Sequence, residues 1–191
     1  MNLLDVSTDI ASTRTVPAWR RPHWRILCYH SVTPEDADGL RAHIERFQAL
    51  GFSFCRVSEG VAATAANTLD RPWLTITFDD ADRSTHQVAM PILLRAQVPA
   101  CVFVVPDYVR RGTTYRDDAP RPAMGWSELR EWLAAGLEVG SHSLTHAPMR
   151  LCSAARFEQE CVDAQSILQD ALQIPVRHFA YPWGQHSRTT L

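Results

Sequence analysis

Two adjacent carboxylates, Asp79 and Asp80, end the apolar run Trp73–Phe78 (WLTITF). Burying a carboxylate is costly unless it is paired, hydrogen-bonded or metal-bound, so folding alone does not call for them there. An exposed turn or a helix cap is the plain alternative. Successive residues at a strand end point different ways, so one carboxylate can hold a metal while the other works as a base. Farther along, Gly140–His146 reads GSHSLTH. His142 and His146 stand four apart, on one face if the segment is helical and close enough to share a metal; two histidines on a polar loop is the rival. With a nearby carboxylate they form a His/His/Asp set that leaves positions open for water and substrate. Zinc is the first choice, and ligand type alone leaves iron(II), cobalt, nickel and manganese open. A third polar cluster is Tyr181–Gly184 (YPWG). There Trp183 is a candidate for substrate contact. His30, in CYHSV, follows a strand and either lines the cleft or packs in a loop.

The elements that must position these groups alternate. Arg25–Tyr29 reads as a short buried strand. Leu40, Ile44, Phe47 and Leu50 recur at helical spacing, ended by Gly51. Strands are expected over Phe52–Val57, Trp73–Phe78 and Ala100–Val105, the last apolar enough to be covered on both faces. A helix is expected over Ser84–Ala96, with Pro91 kinking or restarting it. Residues 109–123, charged and proline-containing, read as a loop. Ser127 is the expected N-cap of a helix through Ala135, with Leu129, Trp132 and Leu133 as its apolar stripe. Leu137–Gly140 leads into His142, Ser153–Leu172 is the longest helix, and Val176–Tyr181 the last strand. This order implies an α/β fold with a parallel sheet, open or closed into a barrel. All three polar clusters follow strands, and the carboxyl ends of parallel strands are where α/β folds carry their sites.

Composition sets the limits. The chain has 191 residues, 46% hydrophobic and 21% charged, enough for one domain with a real core. The formal net charge is −2, which leaves no electrostatic footprint for nucleic acid. All 19 basic residues are arginine, which excludes lysine Schiff-base or P-loop chemistry. Five cysteines without a CxxC pair argue against a disulfide framework or a zinc knuckle, and Cys28 and Cys101 read as core residues. The first residues do not read as a secretory signal and no membrane span is evident, so a cytoplasmic protein is expected, with residues 1–23 a loose arm and 24–191 the working domain.

Three motifs in order give the sequence a resemblance. Thr77–Ala81 reads TFDDA, His142–His146 reads HSLTH and Phe179–Gly184 reads FAYPWG; these resemble the TFDDG, H-[ST]-x-x-H and FRxPYG motifs of the polysaccharide deacetylase family, the NodB homology domain of carbohydrate esterase family 4. The flanks agree: CYHSV at Cys28–Val32, MPILLRAQVPACVFV at Met90–Val104 and GWSELREWLAAGLEVGSHS at Gly125–Ser143. The similarity runs from about Ile26 to Gly184 and looks closest to the exopolysaccharide-associated branch. It implies a distorted (β/α) barrel of the NodB type. It further implies removal of N-acetyl groups from N-acetylhexosamine units of an oligo- or polysaccharide. Asp79 would be the general base, and Asp80, His142 and His146 the ligands of a divalent metal, Zn2+ first. The backbone N–H of Trp183 would hold the oxyanion, and Tyr181, Trp183 and His30 would contact substrate.

Three departures qualify it. Ala81 replaces the motif glycine; if that position needs positive φ, the strain is about 1 kcal/mol. Ala180 stands where many members carry an arginine. The sequence ends at Leu191, before the segments that carry the family's later histidine, its usual general acid, and His186 lies too early to replace it. The expectation is therefore a barrel truncated at its C-terminal end, and the rival to an enzyme is a remnant that binds metal or sugar without turnover.

Overall fold

The computed structural model describes residues 21–116 and 119–188, so the expected N-terminal arm lies almost wholly outside the described residues. Strand β1 (His23–Tyr29) leads through a single 3-10 turn into helix α1 (Ala37–Ala49). Strand β2 (Ser53–Phe54), helix α2 (Val57–Ala65) and strand β3 (Pro72–Phe78) follow. A π-helical turn over Thr85–Ala89 runs into α3 (Met90–Ala96), then come β4 (Ala100–Val104) and α4 (Pro106–Arg111). An antiparallel hairpin, β5 (Thr113–Arg116) with β6 (Ala119–Pro122), precedes α5 (Trp126–Ala134), β7 (Glu138–Ser141) and α6 (Ala154–Leu172).

The sheet is parallel throughout, in the order β1-β3-β4-β7. Strand β2 pairs with Trp73–Leu74 and β4 with Ile76–Phe78, so the two share the edge of β3 that β1 leaves. The strand–helix alternation expected of the (β/α) class is present; among the described residues the sheet is open. One face carries the main core, where Ile76, Phe78, Val102 and Val139 meet Leu40 and Ile44 of α1, Leu93 of α3, Trp132 of α5 and Leu168 of α6. Trp132 is fully buried, stands edge-on to Phe78 with ring centroids 6.0 Å apart, and donates its indole N–H to the Glu138 carbonyl at 2.8 Å. Each such side chain contributes about 1.5–3 kcal/mol through apolar burial. A smaller cluster joins Val57, Cys101 and Phe103 with Trp24 and Ala180.

Several local expectations are corrected. Val57 does not extend a strand but begins α2, because Glu138 accepts the Val57 N–H at 2.7 Å and the Ser58 N–H at 3.3 Å, capping the helix from β7. Residues 109–123 are not a plain loop: they complete α4 and form the hairpin, which Arg121 ties down through Nε to Asp82 at 3.0 Å. The helix over residues 84–96 is divided, its first turn π-helical and its second part starting one residue before Pro91. The N-cap of α5 is Gly125, not Ser127, and the Gly125 N–H donates to Glu128 at 2.7 Å. Val176–Tyr181 runs extended beside β7 without forming a full strand: Ser141 bridges Phe179, the Ser141 N–H donates to His178 O at 2.8 Å and the Ala180 N–H to Ser141 O at 3.0 Å. Strand β1 is not buried, because among the described residues it has a neighbour on one side only; Cys28 is exposed and Ile26 is 51% exposed. Cys101 is buried as expected, and all five cysteines are free thiols.

Candidate metal centre

The site lies where β3, β4 and β7 end. Beyond Phe78 the β1–β3 ladder takes one more step, the Asp79 N–H donating to Tyr29 O at 2.9 Å. The chain then turns sharply: Asp80 has φ 68° and Ala81 φ 54°, two successive left-handed residues without glycine. Non-glycine residues enter that region at a cost of about 1–2 kcal/mol each. Its surroundings hold the turn there. Ala81 O accepts the Met124 N–H at 2.8 Å, and Asp82 accepts from the Ser84 N–H at 2.9 Å and the Ser84 hydroxyl at 2.6 Å as well as from Arg121. The position of the missing motif glycine therefore does require positive φ, as the strain argument supposed.

The His142 N–H donates to Val104 O at 2.8 Å, extending the β4–β7 ladder past the end of β7. Its ring is buried, and Nδ1 lies 2.9 Å from Ala180 O. A carbonyl only accepts, so Nδ1 carries the proton and the Nε2 lone pair faces the carboxylates. Burial also pushes the His142 pKa below its ordinary value, against the opposing pull of Asp79, and so favours the neutral form that a metal needs.

From Ser143 onward the segment is a loop, not a helix. Ser143 has φ 66° and His146 φ 62°, and the Ser143 hydroxyl accepts the His146 N–H at 3.0 Å. The two histidines still converge, with ring centroids 5.0 Å apart. His146 Nε2 lies 3.4 Å and His142 Nε2 3.9 Å from Asp80 Oδ1, and the three ligand atoms fall within 4.8 Å of one another. Two imidazoles and one carboxylate converging at this spacing, with Asp80 and His142 buried and His146 half-buried, fit a divalent metal ion. Asp79 stands beside the set, its Oδ2 3.8 Å from His142 Nε2.

The other expected residues divide. Trp183 is 63% exposed and its ring packs 4.9 Å from the His146 ring, so it forms a wall of the centre. Its backbone is left-handed, φ 61°, in the 3-10 turn Pro182–Gly184, where the Gly184 N–H donates to Tyr181 O. The Tyr181 ring packs instead with Phe157, Phe179 and His186. His186 thus stands against Tyr181, with ring centroids 5.8 Å apart. His30 is near enough to His142 to act on its charge. Two residues were missed from sequence. Tyr108 of α4, the short helix that follows β4, faces His146 with ring centroids 5.8 Å apart. Glu160 of α6 is fully buried and reaches the histidine loop at Thr145; a carboxylate in register with the buried Ala164, Leu168 and Leu172 was the available signal.

A family model described as polysaccharide deacetylase matches residues 66–191. A chitooligosaccharide deacetylase of Sinorhizobium fredii is 28% identical over 116 residues, 59% of this chain and 47% of that protein. One from a Bradyrhizobium strain is 30% identical over 112 residues, 57% of this chain and 45% of that protein. The chain thus spans about half the length of these curated relatives. Among solved structures, IcaB from Ammonifex degensii superimposes with a TM-score of 0.78 at 24% identity, covering 88% of this chain and 78% of the other. The Streptococcus pyogenes deacetylase PplD, solved with acetate, gives 0.77 at 22% identity with the same coverages. Both are likenesses of fold. Among the described residues no helix is long and apolar enough to cross a membrane.

Proposed function

The chain belongs to the polysaccharide deacetylase family, and we propose that it hydrolyses the N-acetyl amide of N-acetylhexosamine units in an oligo- or polysaccharide, with Asp80, His142 and His146 holding a divalent ion, Zn2+ first. The observation that carries this reading is the convergence of those three ligand atoms within 4.8 Å, with a second carboxylate, Asp79, beside them. When bound, the ion supplies Lewis-acid polarisation of the acetyl carbonyl and lowers the pKa of water. The remaining work falls to the chain. Asp79 takes the proton from the attacking water, as a base adjacent to the ligand set but outside it. The Trp183 N–H, in its left-handed turn, donates to the oxygen on which negative charge develops. The Trp183 indole offers its exposed face to the sugar, and His30 lines the cleft. Tyr181 contributes through its carbonyl, which secures the turn that carries Trp183. One water is consumed, and acetate and a free amine are formed.

The test is acetate release from acetylated hexosamine oligomers by the metal-stripped and the zinc-reloaded chain, with Asp79→Asn alongside. Activity restored by zinc and lost in Asp79→Asn, at unchanged zinc binding, supports the reading. One tightly bound zinc with no acetate released from any such oligomer would replace it with binding without turnover.

A further inference from the structure

We infer that Glu160 is the residue that positions the histidine loop for its metal, acting through Thr145; the inference rests on the metal centre proposed above. Along α6 the buried residues are Glu160, Ala164, Leu168 and Leu172, one every fourth position. That is the core-facing stripe of the helix, and a carboxylate occupies its first place with no exposure at all. An uncompensated carboxylate there would be strongly destabilising. Its compensation comes chiefly from the loop between the two histidines. Glu160 Oε2 accepts the Thr145 N–H at 2.9 Å, and Oε1 accepts the Thr145 hydroxyl at 2.6 Å. Arg156, one turn earlier on α6 and partly exposed, supplies the opposite charge to Oε1.

The backbone of the same residue reinforces the grip, because the Leu144 N–H donates to Glu160 O at 3.0 Å. Leu144 O in turn accepts the Asp107 N–H of α4 at 3.2 Å, and Ser143 Oγ accepts the His146 N–H. Every residue between the two histidines is thereby tied, and two of these three residues, Leu144 and Thr145, are tied to Glu160. The loop needs them, since Ser143 and His146 both hold positive φ and no regular ladder supports them. Thr145 directly precedes His146, so a carboxylate on a 19-residue helix sets where that imidazole stands relative to Asp80. Partners behind the ligand shell act in this way, and losing one typically weakens metal binding about ten- to a hundredfold.

The experiment measures zinc affinity by calorimetry and the visible ligand-field absorption of the Co2+-loaded chain. It compares the purified parent with Glu160→Gln and Thr145→Val, each checked for folding by its thermal transition. Glu160→Gln keeps the volume but turns one acceptor into a donor. Thr145→Val removes the hydroxyl and keeps the N–H, and it carries the test should Glu160→Gln fail to fold. The expected result is zinc binding weakened about ten- to a hundredfold in a folded variant, with an altered Co2+ spectrum. A purely structural role would lower the thermal transition and leave the spectrum unchanged. Folded variants that match the parent in affinity and spectrum overturn the inference alone. A parent that takes up no zinc overturns the proposed centre and the inference with it.

Discussion

Asp80 and His146 meet at 3.4 Å, Oδ1 to Nε2, from two loops that are both left-handed at these residues, φ 68° and 62°. Neither side chain reaches the other from regular structure. Both are delivered by strained turns just past the sheet, and strain of this kind persists only where the surroundings over-determine it. Here they do, through Asp82 and Met124 on one side and Glu160 on the other.

Removing either partner should abolish tight metal binding. Asp80→Ala and His146→Ala each leave two ligands, and a two-ligand site does not hold zinc against water and buffer. Calorimetry on metal-stripped protein is expected to show one zinc per parent chain and no saturable binding in either variant. Retained stoichiometric binding in both would sink the ligand assignment.

Ala81 tests whether the turn tolerates its own side chain. The left-handed φ costs about 1–2 kcal/mol. Ala81→Gly relieves that cost, but it loses a methyl worth about 0.8 kcal/mol of burial and adds about 0.4–1 kcal/mol of unfolded-chain entropy. The net change in denaturant unfolding should lie within about 1 kcal/mol of zero. Ala81→Val has no such offset: Ala81 is fully buried and a β-branched residue resists positive φ, so a loss of at least about 2 kcal/mol is expected.

The residues that converge at the candidate site were largely legible in the sequence, because Asp79, Asp80, His142 and His146 break apolar surroundings with residue types that folding does not call for. The helical geometry that first suggested the histidine pair was not needed, since a loop pinned by Ser143 and Thr145 brings the rings together. What escaped was set by distant contacts. The start of α2 draws on Glu138, about 80 positions away, while its local signal, Glu59 accepting the Arg56 N–H at 2.8 Å, was passed over. The hairpin depends on Arg121 reaching Asp82. The N-cap of α5 was readable, since Gly125 with Glu128 three positions on is a capping pattern, but a serine nearby drew the assignment. The β1 edge read as core because its residues are apolar, although hydrophobicity reports what can be buried, not which neighbour is present.

Gly140 should tolerate no side chain. A Cβ there would meet the Phe103 ring at 2.5 Å and His178 O at 3.1 Å, and the carbonyl belongs to the segment that runs beside β7. Gly140→Ala is expected to cost about 1–3 kcal/mol. It should also weaken zinc binding, because pushing residues 178–180 outward moves the Ala180 carbonyl that fixes the His142 tautomer. A variant with reduced stability and full zinc affinity would show that the Ala180 contact is dispensable.

Trp183 offers the cleanest separation of binding from folding. The residue is 63% exposed and its ring packs on His146, so Trp183→Ala should change stability by no more than about 0.5 kcal/mol. If the indole is the sugar platform, the same change should raise KM for acetylated hexosamine oligomers and leave zinc affinity within about threefold, since stacking on a ring is worth about 0.5–1.5 kcal/mol. The backbone N–H survives the substitution, so kcat should fall less than KM rises. A loss confined to kcat would instead point to the turn itself, and to Trp183 acting through its amide rather than its ring.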